Sequence, residues 1–208
     1  MSTIEITPLN TKHREKIIEI ITDGFQNYPL MKYFFGESHN QSLRYLSQLI
    51  CDEASEDDKL LLGAFTDGNL QGIAYISLPC LPQNEENNND TQSTPTSLEK
   101  EFATAVGEEA LMRIEAYSNL KKQNKPSSPH FYINILGVNP QNQGKGIGRA
   151  ILSHIHQMSE QHSDSHGVAL DTQTEQNVGY YQRFGYSVST TAELENVKNW
   201  FMFRSNPV

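Results

Sequence analysis

Apolar residues along the chain follow two rhythms. Residues 4–7 alternate apolar and polar side chains, which predicts a short strand closed by Pro8. Between 12 and 25, Ile17, Ile21 and Phe25 recur every fourth position, the spacing of one helical face. Ser38 and Gln41 stand three apart in a capping-box arrangement and predict the start of a second helix, with Leu43, Leu46 and Ile50 on one side. Residues 60–66 and 70–78 read as strands joined by Asp67-Gly68-Asn69, residue types that accept the positive φ of a tight hairpin turn. Helical spacing returns over 98–122, with Phe102, Val106, Ala110, Ile114 and Tyr117 on one face and Gly107 as a candidate break. A polar, proline-containing linker is expected at 121–128. Residues 130–138 form an almost wholly apolar run, a buried strand, and Asn139-Pro140 marks a turn. A helix over 146–161 carries Ile147, Ile151, Ile155 and Met158 inward. A strand at 168–172, a helix at 175–184 ended by Gly185, and strands at 186–190 and 200–204 complete the chain. Strands and helices in this order predict an α/β (α+β) domain with a mixed sheet.

Composition changes this picture in one place. Residues 81–97 are rich in Asn, Gln, Glu, Ser, Thr and Pro, which predicts a polar low-complexity insertion loop within one domain spanning 1–208. The net charge of −9 argues against a nucleic-acid partner, which rewards clustered Lys and Arg. No apolar run reaches the ~20 residues of a membrane span, and the N-terminus lacks the features of a signal peptide. Cys51 and Cys80 are too few for a disulfide framework and read as reduced, packed thiols. A cytoplasmic protein without membrane or nucleic-acid partners is expected, as a monomer or homodimer. His154, His156, His162 and His166 lack the spacing and companion ligands of a metal centre, so no metal is expected. The acidic run Asp52, Glu53, Glu56, Asp57 and Asp58 reads as a solvated face; beside an acceptor cleft it would favour a cationic amine such as a polyamine, an aminoglycoside or a lysine side chain.

The chemistry concentrates in the turn N-P-Q-N-Q-G-K-G-I-G-R-A that follows the buried strand. A strand, a glycine-rich turn and a helix N-terminus present free N–H groups and a favourable dipole to an anion. Spacing excludes two nucleotide loops. With Gly144-Lys145 as the Gly-Lys pair of a phosphate loop, Asn139 occupies the first glycine position and Gly146 the hydroxyl position. A dinucleotide fingerprint begun at Gly144 or Gly146 meets Arg149 or Ile151 where its third glycine belongs.

The pattern Q-x-x-G-x-G, at Gln143, Gly146 and Gly148, resembles the coenzyme A pyrophosphate loop of the Gcn5-related N-acetyltransferases, the GNAT superfamily. The strand H-F-Y-I-N-I-L-G-V-N-P before it and the later Asn177, Tyr181, Gly185 and Tyr186 are similar to that family's central strand and later motif, as is the closing W-F-M-F-R. The resemblance covers residues 130–204, and its details are closest to the puromycin N-acetyltransferase-like members. It implies a mostly antiparallel, twisted sheet splayed at the fourth and fifth strands and flanked by helices. It implies acetyl-coenzyme A as co-substrate, moving acetyl to a primary amine through a tetrahedral intermediate. Cofactor contacts would come from Leu136, Val138, Gln143, Gly144, Lys145, Gly146, Ile147, Gly148, Arg149, Asn177 and Tyr181. Val138 would offer its N–H to the acetyl oxygen, with Gly137 allowing a bulge, and Tyr181 would act as the catalytic acid. The base stays open between Asp171, Glu115 and a water chain. A non-catalytic coenzyme A-binding sensor or interaction module is the alternative, and another acyl donor or an oxygen acceptor is also compatible.

Overall fold

The computed structural model describes residues 3–36, 40–54, 57–79 and 95–207. The expected capping residue Ser38, together with Glu56, Cys80 and positions 81–94 of the polar insertion, lies outside the described residues. The chain runs β1 (Ile4–Pro8), α1 (Arg14–Phe25), α2 (Pro29–Phe35), α3 (Asn40–Glu53), β2 (Lys59–Thr66), β3 (Asn69–Ser77), α4 (Ser97–Val106), α5 (Glu108–Asn124), β4 (Phe131–Val138), α6 (Ile147–Gln161), β5 (Gly167–Thr172), α7 (Glu175–Gln182), β6 (Ser187–Leu194) and β7 (Val197–Ser205). The seven strands form one sheet in the order β1-β2-β3-β4-β5-β7-β6, in which β4 and β5 are parallel and every other pair is antiparallel.

Local sequence explains most of the boundaries. Asp67 and Gly68 take φ of 51° and 75°, the positive pair that a two-residue hairpin turn needs, and Asn69 opens β3. Thr96 and Glu99 close a reciprocal capping box at the start of α4. Gly107 breaks the expected helix into α4 and α5. The expected linker gives way at its start, because α5 continues to Asn124. The last two strands are longer than their apolar cores: their polar ends Thr191–Leu194 and Val197–Asn199 pair across a turn at Glu195, whose φ is 52°. Helix α2 has no counterpart in the expected elements. It is a stretch of seven residues, apolar but for Lys32, too short to display a period, begun by Pro29 at its first turn.

Strand alternation feeds two cores. On one face Leu62, Ala74, Ile76, Phe131, Ile133 and Met202 pack with Ile147, Ile151, Leu152 and Ile155 of α6. On the other, Leu61, Ile73 and Tyr75 pack with Ile17, Ile20 and Ile21 of α1, Leu30, Met31 and Phe34 of α2, and Leu43 and Ile50 of α3.

Strand β4 changes phase between these layers. Tyr75 pairs with Ile135 and Ile76 with Ile133, so Asn134 is an extra residue, a β-bulge. The bulge is therefore at Asn134, not at Gly137, which pairs regularly with Ile73. Beyond it the faces exchange. Phe131, Ile133, Leu136 and Val138 belong to the α6 side, whereas Ile135 packs on the α1–α3 side.

Candidate active site

Strands β4 and β5 pair only at Phe131–Ile133 and Val168–Leu170, although β4 runs on to Val138 and β5 to Thr172. The backbone in this gap can be oriented from one hydrogen bond. The Asn139 N–H donates to the Gln71 carbonyl, so Asn139, Gly137 and Ile135 present their polar groups to β3. By alternation, the N–H groups of Leu136 and Val138 point the other way, into the gap. A cavity of about 350 Å³ opens there.

The donor-side residues expected from the sequence divide into two groups. Leu136, Val138, Gln143, Asn177 and Tyr181 line the cavity. Gly144, Lys145, Gly146, Ile147, Gly148 and Arg149 are not among its lining residues and form the turn leading into α6. That turn is braced from within. The Asn139 side-chain oxygen accepts from the Gln141 N–H at 3.0 Å, and Lys145 Nζ donates to Asn142 Oδ1 at 2.6 Å. Gly146 is the N-cap of α6, with φ of 84° and no side-chain capping bond, so the leading N–H groups of the helix have no side-chain cap. Ile147 is 3% exposed and packed in the core, so only its backbone is available to a ligand. Gly148 lies under Tyr180: a Cβ there would sit 2.8 Å from the Tyr180 hydroxyl. Lys145 and Arg149 are exposed cations flanking the turn.

Helix α7 supplies the facing side. Thr174 caps it by accepting from the Asn177 N–H. Asn177 Nδ2 donates to Thr172 Oγ1 at 3.1 Å, and the Tyr28 hydroxyl shares that oxygen at 2.9 Å while accepting from the Gln173 N–H at 3.1 Å. Asn177 is thus tied to β5 and to the start of α2. Tyr181 packs edge-on against Tyr180 and Tyr186 and is buried. Burial pushes its phenol pKa well above the tyrosine range, so the hydroxyl remains a protonated donor.

Asp171 stands on the same cavity, and its partners come from two distant stretches of chain and from its own neighbour Gln173. The Tyr132 hydroxyl donates to Oδ1 at 2.6 Å, while the Tyr117 hydroxyl and Gln173 Nε2 donate to Oδ2 at 2.7 and 2.6 Å. Gln173 also donates to Oδ1 of fully buried Asn199 at 2.8 Å. Burial first, and then the negative charge of Asp171, drives both tyrosines far above their usual pKa, so they stay neutral donors. Lys121 Nζ lies 4.1 Å from the Tyr132 ring centre and donates to Oδ1 of the bulge residue Asn134, whose Nδ2 donates to Ser77 Oγ. Burial lowers the Lys121 pKa. Glu115 is exposed on α5 and does not line the cavity.

Two other candidates lie elsewhere. His156 is buried and hydrogen-bonded to the Tyr186 hydroxyl at 3.0 Å, and burial lowers its pKa to about 4. Among the described residues no three His, Cys, Asp or Glu side chains are grouped to hold a metal, and no helix is long and apolar enough to cross a membrane. Of the acidic run, Asp52 pairs with Arg14, Asp58 with Lys59, and Glu53 accepts from the Tyr75 hydroxyl, and none of its described members lines the cavity. Cys51 is a free, half-buried thiol whose pKa burial raises to about 11, which leaves it unreactive.

The profile of the family described as "Acetyltransferase (GNAT) domain" matches residues 83–204, more than half of the chain. Solved structures share the fold at low identity. A histone acetyltransferase HPA2 and related acetyltransferase from Corynebacterium glutamicum superposes with a TM-score of 0.69 at 15% identity, over 100% of this chain and 98% of that one. The PaiA N-acetyltransferase of Thermoplasma acidophilum, solved with coenzyme A, gives 0.59 at 15% identity, over 98% and 99%. Arylalkylamine N-acetyltransferase 2 of Aedes aegypti gives 0.61 at 17% identity, over 99% and 100%.

Proposed function

The chain belongs to the GNAT acetyltransferase family, and on that footing we propose that it moves the acetyl group of acetyl-coenzyme A directly to a primary amine. One juxtaposition carries this reading: Tyr181 and the unpaired edge of β4 at Leu136 and Val138 line the same cavity. The coenzyme A complex of the Thermoplasma relative supports the choice of donor. The pyrophosphate would sit on the backbone from Gln143 to Arg149, and the pantetheine arm would extend along the open edge at Leu136 and Val138, as an added strand does.

An alkyl ammonium with a pKa of ~10.4 must lose a proton before its nitrogen can attack. The nitrogen then bonds to the thioester carbonyl carbon, and the negative charge on oxygen meets the Val138 N–H. Collapse breaks the carbon–sulfur bond and releases a thiolate. Ammonium and thioester become amide, thiol and one proton released to solvent. A thiol resembling cysteine, with a pKa of ~8.5, is a stronger acid than tyrosine even before burial raises Tyr181 further. Tyr181 therefore acts by hydrogen bonding to the departing sulfur, without giving up its proton entirely to it. Asp171 already accepts three hydrogen bonds out of the roughly four its oxygens can take. That suits holding an ammonium better than carrying its proton away, so the amine proton passes to water.

The test is thiol release from acetyl-coenzyme A with a panel of amines, alongside calorimetric titration of coenzyme A. Amine-dependent release is expected. Tight coenzyme A binding with no release for any amine would falsify the enzymatic reading in favour of a binding module.

A further inference from the structure

The acceptor side of the cavity is chemically one-sided. Asp171 is the one charged side chain among its described lining residues. The wall contributed by α1, α2 and α3 is apolar: Phe25, Leu30, Met31, Leu43 and Leu46. Of the acidic run that would have drawn in a polycation, Asp52 and Asp58 are paired with Arg14 and Lys59, and no described member lines the cavity.

Resting on the acetyl-transfer reading, we infer that the acceptor is a primary amine with a single positive charge on a compact apolar or aromatic body, its ammonium taken by Asp171 and its body by the α1–α3 wall. Three observations support it. Asp171 is fixed, because Tyr117, Tyr132 and Gln173 hold both its oxygens and Asn199 holds Gln173, so it can receive a cation without reorganising. A cavity of about 350 Å³ shared with the end of the donor leaves room for a small body only. A second ammonium on the acceptor would press against leucine and methionine with no counter-ion, and burying an unpaired charge is costly. Monoamines are therefore selected as much by what the wall refuses as by what Asp171 attracts.

The experiment compares initial rates of thiol release for hexylamine, 2-phenylethylamine, spermidine and an aminoglycoside, with the intact chain and saturating acetyl-coenzyme A. At least one of the two monoamines should exceed spermidine and the aminoglycoside in kcat/KM by about tenfold or more. Asp171→Asn should raise the amine KM by roughly tenfold while coenzyme A affinity holds. Leu46→Glu, which adds a carboxylate to the partly exposed part of the wall, should narrow the disadvantage of spermidine. Equal or better turnover of spermidine or the aminoglycoside by the wild-type chain overturns the inference and leaves acetyl transfer standing. Absence of turnover with every amine, coenzyme A still bound, removes the acetyl-transfer reading and this inference with it. The ranking on the wild-type chain decides the matter even if a variant fails to fold.

Discussion

The two walls of the cavity are assembled in opposite ways. The donor side follows a short continuous stretch, β4 and Gln143 at the cavity and then the turn leading into α6, joined by two side chains one helical turn apart on α7. The acceptor wall gathers α1, α2 and α3, and sets opposite them a carboxylate whose tyrosine partners lie 39 and 54 positions away in sequence. The first is mostly backbone, so its requirements fall on glycine positions and strand register. The second is entirely side chains, so it can be altered one residue at a time without disturbing the first. Fixed donor chemistry and an adjustable acceptor are what such a division permits.

Substitutions on the two walls should therefore separate the two substrates. The largest effect is expected on the donor side. Gly146→Val places a branched residue at a φ of 84° and covers backbone that should meet phosphate, so coenzyme A binding by calorimetry should be abolished. Unchanged affinity would remove the turn from the binding site. Tyr181→Phe should lower kcat by about 100-fold and leave coenzyme A affinity near the wild-type value. A wild-type kcat would end the assignment of the hydroxyl. On the acceptor side, Tyr117→Phe takes one donor from Asp171 and should cost roughly tenfold in kcat/KM for the amine, with the KM for acetyl-coenzyme A unmoved. Equal losses for both substrates would mean that the walls are not separable.

An effect on stability alone lies beneath the donor wall. His156 is buried with its pKa lowered from 6.5 to about 4, so the unfolded chain takes up a proton below pH 6.5 that the folded chain refuses. Its contribution is present above pH 6.5 and is lost as pH falls towards 4, by at most ~3 kcal/mol. Urea melts at pH 7 and pH 5 should diverge for the wild-type chain and converge for His156→Gln. A parallel fall in both proteins would exclude His156 as the source.

How much of this could be read from the chain follows from the same division. The glycine positions, the strand before them and the Asn177–Tyr181 pair are local patterns, legible as spacings in the chain. Ile147 was legible as an inward position of its helix, and its side chain does pack in the core. Asp171 was one of the candidates for the base, and its contacts with Tyr117 and Tyr132 arise only once the sheet has formed. Helix α2 escaped notice because seven residues carry no period, and the bulge was expected at Gly137 rather than Asn134 because an almost wholly apolar run does not show where its faces exchange. The acidic run attracted attention by composition, yet none of its described members lines the cavity, and Asp52 and Asp58 pair with Arg14 and Lys59.

The bulge at Asn134 gives β4 a parity. Counted from Phe131, positions before it and positions after it fall on a given layer under opposite odd–even rules. Deleting Asn134 would remove the extra residue and leave Ile135, Leu136 and Val138 opposite the same β3 partners and on the same layers, whereas deleting Gly137 would send either Leu136 or Val138 to the wrong layer. A one-residue loss in this segment is therefore absorbed only where the bulge itself takes it up. The side chain of Asn134, held between Lys121 and Ser77, is the marker from which that count begins.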